Sequence, residues 1–221
     1  GIRSVHLMRA EVPGPTKSKL VPRMKDTASL LYRIYIAMTL VEVVLLMLGG
    51  MNLFDALVHS FGTAGTGGFS NKALSVGAYD SAYFDIVIGV FMMLFGINFN
   101  LYYLILIGNI KTALKSEELR WYLGFIGIST AVIAIDISGL FNGAAQCLRY
   151  AFFQVSSVIT TTGYATTDFN TWPSLSRAIL VMLMVVGGCA GSTGGGVKVS
   201  RVIIAAKSIV REMRRLLHPR A

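Results

Sequence analysis

Four stretches of this chain are too long and too apolar to lie in water. Residues 34–51 carry Glu42 as their single charge, and residues 83–110 carry none after Asp85. The run between Arg120 and Arg149 holds only Asp136, and the stretch that starts near Ser176 is uncharged from Ala178 to Val197. A bilayer core takes about 20 apolar residues as a helix, so each run predicts a membrane span. Composition agrees: 54% of the 221 residues are hydrophobic and 14% charged, where a soluble domain has roughly 25% charged. An ordinary soluble domain is excluded, and the expected class is an all-α membrane protein.

The formal net charge of +9 raises nucleic acid as a partner, but its distribution points elsewhere. Seven basic residues precede the first run: Arg3, Arg9, Lys17, Lys19, Arg23, Lys25 and Arg33. Lys111, Lys115 and Arg120 separate the second and third runs, and seven more follow residue 197: Lys198, Arg201, Lys207, Arg211, Arg214, Arg215 and Arg220. Lys72, Arg149 and Arg177 are left for the opposite side. This is the positive-inside pattern; it puts both ends of the chain in the cytoplasm and the lipid bilayer, not nucleic acid, around the apolar runs. Cys147 and Cys189 have no metal-ligand spacing and read as packing residues. The polar N-terminus predicts no cleavable signal peptide.

Between the first and second runs, and again between the third and fourth, lies a short helix-like stretch followed by threonines and glycines. Residues 54–62 lead into Thr63 to Ser70, and residues 150–159 into Thr160 to Thr166. Nine or ten helical residues rise about 13–15 Å, half the hydrocarbon thickness, so such a helix enters the membrane without crossing it. The two copies superpose at an offset of 96, which pairs Thr66 with Thr162 and Gly67 with Gly163. The order span, short helix, Thr/Gly segment, span therefore occurs twice. The expected organisation is a cytoplasmic segment 1–33, a first helix–pore-loop–helix repeat 34–110, a cytoplasmic loop 111–120, a second repeat 121–217 with a broken last helix, and a cytoplasmic tail 218–221.

Irregular backbone at membrane depth survives only where it is buried in protein or lines a water-filled path. Carbonyls of Gly65, Thr66, Gly67, Gly68, Thr161, Thr162, Gly163 and Tyr164, pointed at an axis, would replace the hydration shell of a monovalent cation. Glycine lets successive carbonyls turn the same way, and the C-terminal end of each half-helix is partially negative, which favours a cation. The competing reading is plain turns, or small-residue contacts where helices cross; two copies on one face favour the filter.

Residues 187–198 interrupt the fourth run with six glycines in twelve positions: Gly187, Gly188, Gly191, Gly194, Gly195 and Gly196, around Ser192 and Thr193. Glycine costs about 1 kcal/mol per residue inside a helix, so the span should break into halves near 174–187 and 199–216. A broken helix facing a pore is a candidate gate. Gly191 to Gly196 has the spacing of a phosphate-binding loop, but Val197 separates Gly196 from Lys198, where that loop needs Gly-Lys-Ser/Thr. Lys198 either tethers the loop and repels cations or snorkels to the inner interface. Glu42 and Asp136 read as helix contacts or as sites for a coupled ion, and His59 as a packing or capping residue. With no Ser/His/Asp, Cys/His or metal constellation, an enzyme is not expected. The only metal is K⁺, bound as the transported ion through carbonyls, and no cofactor is expected in this chain.

The segments His59-Ser60-Phe61 through Gly67-Gly68-Phe69-Ser70, Phe152 to Val155 through Thr162-Gly163-Tyr164, Trp172-Pro173 and above all Gly187 through Val199 resemble the TrkH-like pore subunit of the Trk/Ktr/HKT potassium transporters. Pro13-Gly14-Pro15 and His218-Pro219 extend the resemblance to both ends. It implies four helix–pore-loop–helix repeats around one potassium pathway, a homodimer in the prokaryotic plasma (inner) membrane, and a cytosolic nucleotide-binding regulatory subunit. Thr66-Gly67 and Thr162-Gly163 would then lie in the filter and 187–198 would form the gate. The present residues match the second and third repeats, half of a pseudo-fourfold pore, so the first and fourth are missing partners and the chain reads as an internal fragment. Ala64-Gly65 stands where the second segment has Thr160-Thr161, two hydroxyls fewer, which leaves K⁺ over Na⁺ selectivity open. Channel transport and symport both remain open too. The alternative functions are a non-conducting membrane assembly subunit and a membrane-anchored nucleotide-binding protein.

Overall fold

In the computed structural model, residues 24–141 and 143–217 are described, with the side chains of 24–27 and 216–217 left out. Most of the segment 1–33, the tail 218–221, Pro13-Gly14-Pro15 and His218-Pro219 lie outside the described residues. Every regular element among the described residues is helical. In chain order these are α1 (Met24–Leu48), α2 (Leu53–Ala64), a 3₁₀ turn at Ser75–Tyr79, α3 (Ala82–Phe95), α4 (Phe99–Leu106), α5 (Ile110–Leu114), α6 (Glu117–Asp136), α7 (Ala144–Ile159), a 3₁₀ turn at Phe169–Thr171, α8 (Ser174–Val186) and α9 (Val199–Leu217).

Two helices, at Ala28–Leu48 and Glu117–Asp136, are long and apolar enough to cross a membrane. The second apolar run differs from the sequence expectation of one span: α3 and α4 form a pair bent by 92° at residues 96–98. Gly96 ends α3, and the Asn98 side chain accepts from the Asn100 amide to start α4. Such a C-cap and N-cap pair breaks a helix without adding a charge, so hydropathy passes over it. The fourth run is two helices, with α8 ending at Val186 and α9 resuming at Val199.

The short helices are longer than the sequence reading allowed. α2 has 12 residues and α7 has 16, rises of about 18 and 24 Å that still fall short of the roughly 30 Å core. The third apolar run divides between α6 and α7 because α6 stops at Asp136 and α7 already starts at Ala144. Asp136 is spent on helix geometry: its Oδ2 accepts from the Ser176 amide at 3.1 Å and the Ser176 hydroxyl at 2.5 Å, capping the first turn of α8.

Each module has its own core, and the two interlock. Tyr122, Ile126, Ile133, Ala151, Val155, Leu180 and Leu183 pack together from α6, α7 and α8. Val43, Leu46, Ala56, Phe84, Ile88 and Met92 do so from α1, α2 and α3, and they enclose Phe153 and Tyr164 of the second module. Close approach relies on a small residue: a methyl on Gly89 of α3 would stand 3.0 Å from the Phe152 ring of α7. Asp85 of α3 and Arg149 of α7 add an ion pair at 3.4 Å across the modules. α1 leaves an apolar row, Ile36, Leu40, Val44 and Leu48, on the outside.

Candidate functional site

The site forms where α2 and α7 end. Both helices close in the same way, by amides folding back on carbonyls of the last turn. Gly65, Thr66 and Gly67 donate to Phe61, Thr63 and Gly62 at 2.9, 3.1 and 2.8 Å. Thr160, Thr161 and Thr162 donate to Ser156, Val158 and Ser157 at 3.2, 3.0 and 2.9 Å. The match runs on through the backbone: Thr66 and Thr161 are left-handed at φ 50° and 59°, and Gly68 and Gly163 at φ 64° and 93°.

This register corrects the sequence pairing. The modules correspond at an offset of 95, so Thr66 pairs with Thr161, Gly68 with Gly163 and Phe69 with Tyr164. The 96 offset aligned two Thr-Gly dipeptides, whereas the fold counts from the helix end. The two hydroxyls that the first segment lacks are accordingly those of Thr160 and Thr162, which sit buried and share a hydrogen bond of 2.8 Å. The left-handed threonine is present in both segments.

The segments touch each other. The fully buried Tyr164 sends its hydroxyl to the carbonyls of His59 and Phe69, each at 3.1 Å, and its own carbonyl accepts from Ser157 Oγ at 2.6 Å. His59 stacks on that ring with centroids 5.6 Å apart, its Nδ1 2.7 Å from the Asp55 carbonyl and its Nε2 3.0 Å from Ser70 Oγ. His59 is thus a packed and hydrogen-bonded residue. Gly65, Gly67 and Gly163 are exposed, and Thr66 and Thr161 are half-buried.

Residues 187–198 lie against both segments. The loop folds into a hairpin on the end of α8, with the amides of Val197, Lys198 and Val199 bonded to Val185, Val186 and Gly188 at 3.1, 2.9 and 3.1 Å. Its two ends cross so closely that a methyl on Gly196 would stand 2.6 Å from the Gly187 Cα, and both glycines are left-handed. Gly195 donates its amide to Thr161 Oγ1 at 2.7 Å, and the Thr66 hydroxyl is shared between the Gly65 carbonyl at 2.8 Å and the Thr193 carbonyl at 3.2 Å. Gly194 packs under the Thr160 carbonyl, and Ser192 Oγ donates to the Cys189 carbonyl at 2.7 Å. The Lys198 ammonium turns back onto the Gly194 carbonyl.

The loop's other side rests on the bend of the first module. Cys189 N bonds to Gly96 O at 2.9 Å, Phe99 N to Gly191 O at 3.0 Å, and Thr193 N and Oγ1 to Phe95 O at 3.4 and 3.3 Å. Backbone groups released by the break in α3–α4 are therefore satisfied by the loop, as buried amides and carbonyls require.

A family model described as TrkH, a cation transport protein, matches residues 1–132 and 142–221. The chain belongs to the TrkH family. It is 37% identical over 225 residues to the Trk system potassium uptake protein TrkH of Escherichia coli K12, covering 100% of this chain and 47% of that protein. With TrkG of the same organism it shares 35% over 227 residues, 100% of this chain and 46% of the relative. The crystal structure of the potassium transporter TrkH from Vibrio parahaemolyticus superposes with a TM-score of 0.88 at 32% identity, covering 100% of this chain and 47% of that one. The chain spans about half the length of the curated relatives it matches.

Two contributors to the site in this TrkH-family chain escaped the sequence reading. Glu118, in the first turn of α6, accepts from the Ala190 amide at 2.7 Å and fixes the loop from below. An acid in a first turn is common enough to carry no signal of this role. Behind the first segment, Asp55 gathers the Tyr79 hydroxyl at 2.7 Å, the Asn71 amide and the Lys72 ammonium at 3.4 Å. The Tyr79 hydrogen bond, seconded by Asn71 and Lys72, holds the Asp55 carboxyl down at about 2. Glu42 is fully buried in α1, and neither of its carboxylate oxygens has a hydrogen-bond partner among the described residues.

Proposed function

We propose that this chain supplies half of a potassium-conducting pore in a bacterial plasma membrane, with Gly65, Thr66, Gly67, Gly68, Thr161, Thr162, Gly163 and Tyr164 forming two of its four filter segments. One observation carries the reading. Two separate modules end a short helix in the same left-handed Thr, x, left-handed Gly backbone, and the two strands lie in contact. Such a backbone turns main-chain oxygens toward one line, where they can take the place of water around a cation. That the named relatives are potassium uptake proteins supports K⁺ as the ion. Flanking sequence supplies the remaining two segments, and a second copy and a cytosolic nucleotide-binding subunit complete the assembly.

Residues 187–198 act as the gate. They lie against both filter segments and are held by side chains, by the end of α8 and by the α3–α4 bend. Lys111, Lys115, Arg120 and the bases of α9 face the cytoplasm, while Lys72, Arg149 and Arg177 face outward. The test is rubidium uptake by potassium-starved, uptake-deficient cells carrying the complete gene. Uptake is expected, and Gly163→Asp should abolish it by placing a carboxylate among the carbonyls. Unchanged uptake and selectivity in Gly163→Asp would refute the filter assignment.

A further inference from the structure

A β-branched residue with positive φ is a backbone outlier, because its branched Cβ crowds the following carbonyl. Among the described residues there are two, Thr66 and Thr161, at matching positions of the two modules. Glycine would relieve the crowding at either place, as it does two residues later at Gly68 and Gly163. What glycine lacks is a hydroxyl, and both hydroxyls meet the same short stretch of loop. Thr161 Oγ1 accepts the Gly195 amide at 2.7 Å, and Thr66 Oγ1 lies 3.2 Å from the Thr193 carbonyl. Within the loop, residues 193–195 alone make hydrogen bonds to the two segments among the described residues, while Cys189, Ala190 and Gly191 bond to Gly96, Glu118 and Phe99.

We propose that the loop and a dehydrated monovalent cation compete for the hydroxyl oxygen of Thr161, so that a seated loop and an ion at the inner end of the filter exclude one another. The inference rests on the filter and gate reading above. A hydroxyl coordinates a cation through its lone pairs. With the loop seated, a Thr161 lone pair is engaged by the Gly195 N–H, and that amide presents its positive end where the ion would bind. The Lys198 ammonium, bonded to the adjacent Gly194 carbonyl, adds a full positive charge on the loop side. An ion arriving from the outside displaces both, and the loop, released from the filter, loosens its packing around Cys189. Permeant ion thereby favours its own open path.

The loop carries its own reporter, Cys189, which is fully buried. The complete gene product in proteoliposomes is treated with a membrane-permeant maleimide, and labelling of Cys189 is read by peptide mass spectrometry as K⁺ replaces an impermeant organic cation at constant ionic strength. Labelling of the wild type should rise with K⁺ and saturate. Thr161→Val should label about two- to tenfold faster in the absence of K⁺, the range that one net hydrogen bond spans, and should depend less on K⁺. Thr161→Ser, which keeps the oxygen, should follow the wild type. Labelling indifferent to K⁺, or Thr161→Val protected like the wild type, would overturn the competition. Rubidium flux on the same vesicles separates the two levels: flux with K⁺-independent labelling sinks the competition alone, and absence of wild-type flux sinks the filter reading beneath it.

Discussion

Gly68 and Gly163 occupy equivalent positions, yet replacing them with alanine should have unequal consequences. At Gly163, with φ at 93°, a methyl has no heavy atom within 4 Å. Its cost is backbone strain alone, about 1–2 kcal/mol. At Gly68 the methyl would overlap the Thr162 carbonyl oxygen, and stand 2.9 Å from the Thr162 carbonyl carbon and 3.1 Å from that of Gly163. These are backbone atoms of the neighbouring segment, so no side-chain rotation relieves the clash. The strands must separate by about 1 Å, which adds an overpacking cost of about 1–3 kcal/mol to the strain. Gly68→Ala in the complete protein should therefore lose roughly 2–5 kcal/mol in all. It should also displace the Thr162 carbonyl, so Rb⁺ uptake falls at least tenfold and preference over Na⁺ shrinks. Gly163→Ala should keep measurable uptake. Thermal unfolding followed by size exclusion in detergent, paired with uptake assays, checks both. Equal effects of the two substitutions, or a Gly68→Ala protein with native selectivity, would refute the register and the contact between the strands.

Glu118→Gln weakens the carboxylate's hold on the Ala190 amide, a charge-assisted bond of about 1.5–3 kcal/mol, and should raise resting Rb⁺ flux several-fold in vesicles. Asp55 has a folded-state value of about 2 against an ordinary 3.8; its contribution is complete above the ordinary value and disappears as pH falls through the depressed one. The difference in melting temperature between wild type and Asp55→Asn should accordingly hold steady from pH 7 to pH 5 and close between about pH 4 and 2; a difference that widens on acidification would contradict the network. Glu42→Leu removes two buried oxygens without partners and should leave the melting temperature unchanged or raise it, by an amount corresponding to about 1–3 kcal/mol.

The broad architecture is legible in the residues because hydropathy and glycine content act locally. Six glycines in 187–198 cannot sustain a helix, and α8 and α9 stop and start at the loop's borders. The break at 96–98 is hidden, since Gly96 and Asn98 leave the run apolar and the freed backbone groups find partners nearly a hundred residues away. A separation of 72 residues likewise conceals Glu118, whose partner is the Ala190 amide. Register is missed by one because identity favours aligning Thr-Gly with Thr-Gly, while the backbone places left-handed threonines together, a conformation that threonine's own preferences argue against. Lys198 stays undecided in sequence between tether and interface, and its contact with Gly194 is settled by the turn of the loop.

If main-chain oxygens of the two matched segments surround a passing ion, anomalous scattering from Rb⁺ reads that directly. A crystal of the complete protein grown in rubidium should show a peak on the line between the strands, within bonding distance of carbonyls from residues 66–68 and 161–163. Rubidium bound elsewhere in the molecule, with those carbonyls turned away from any shared line, would contradict it.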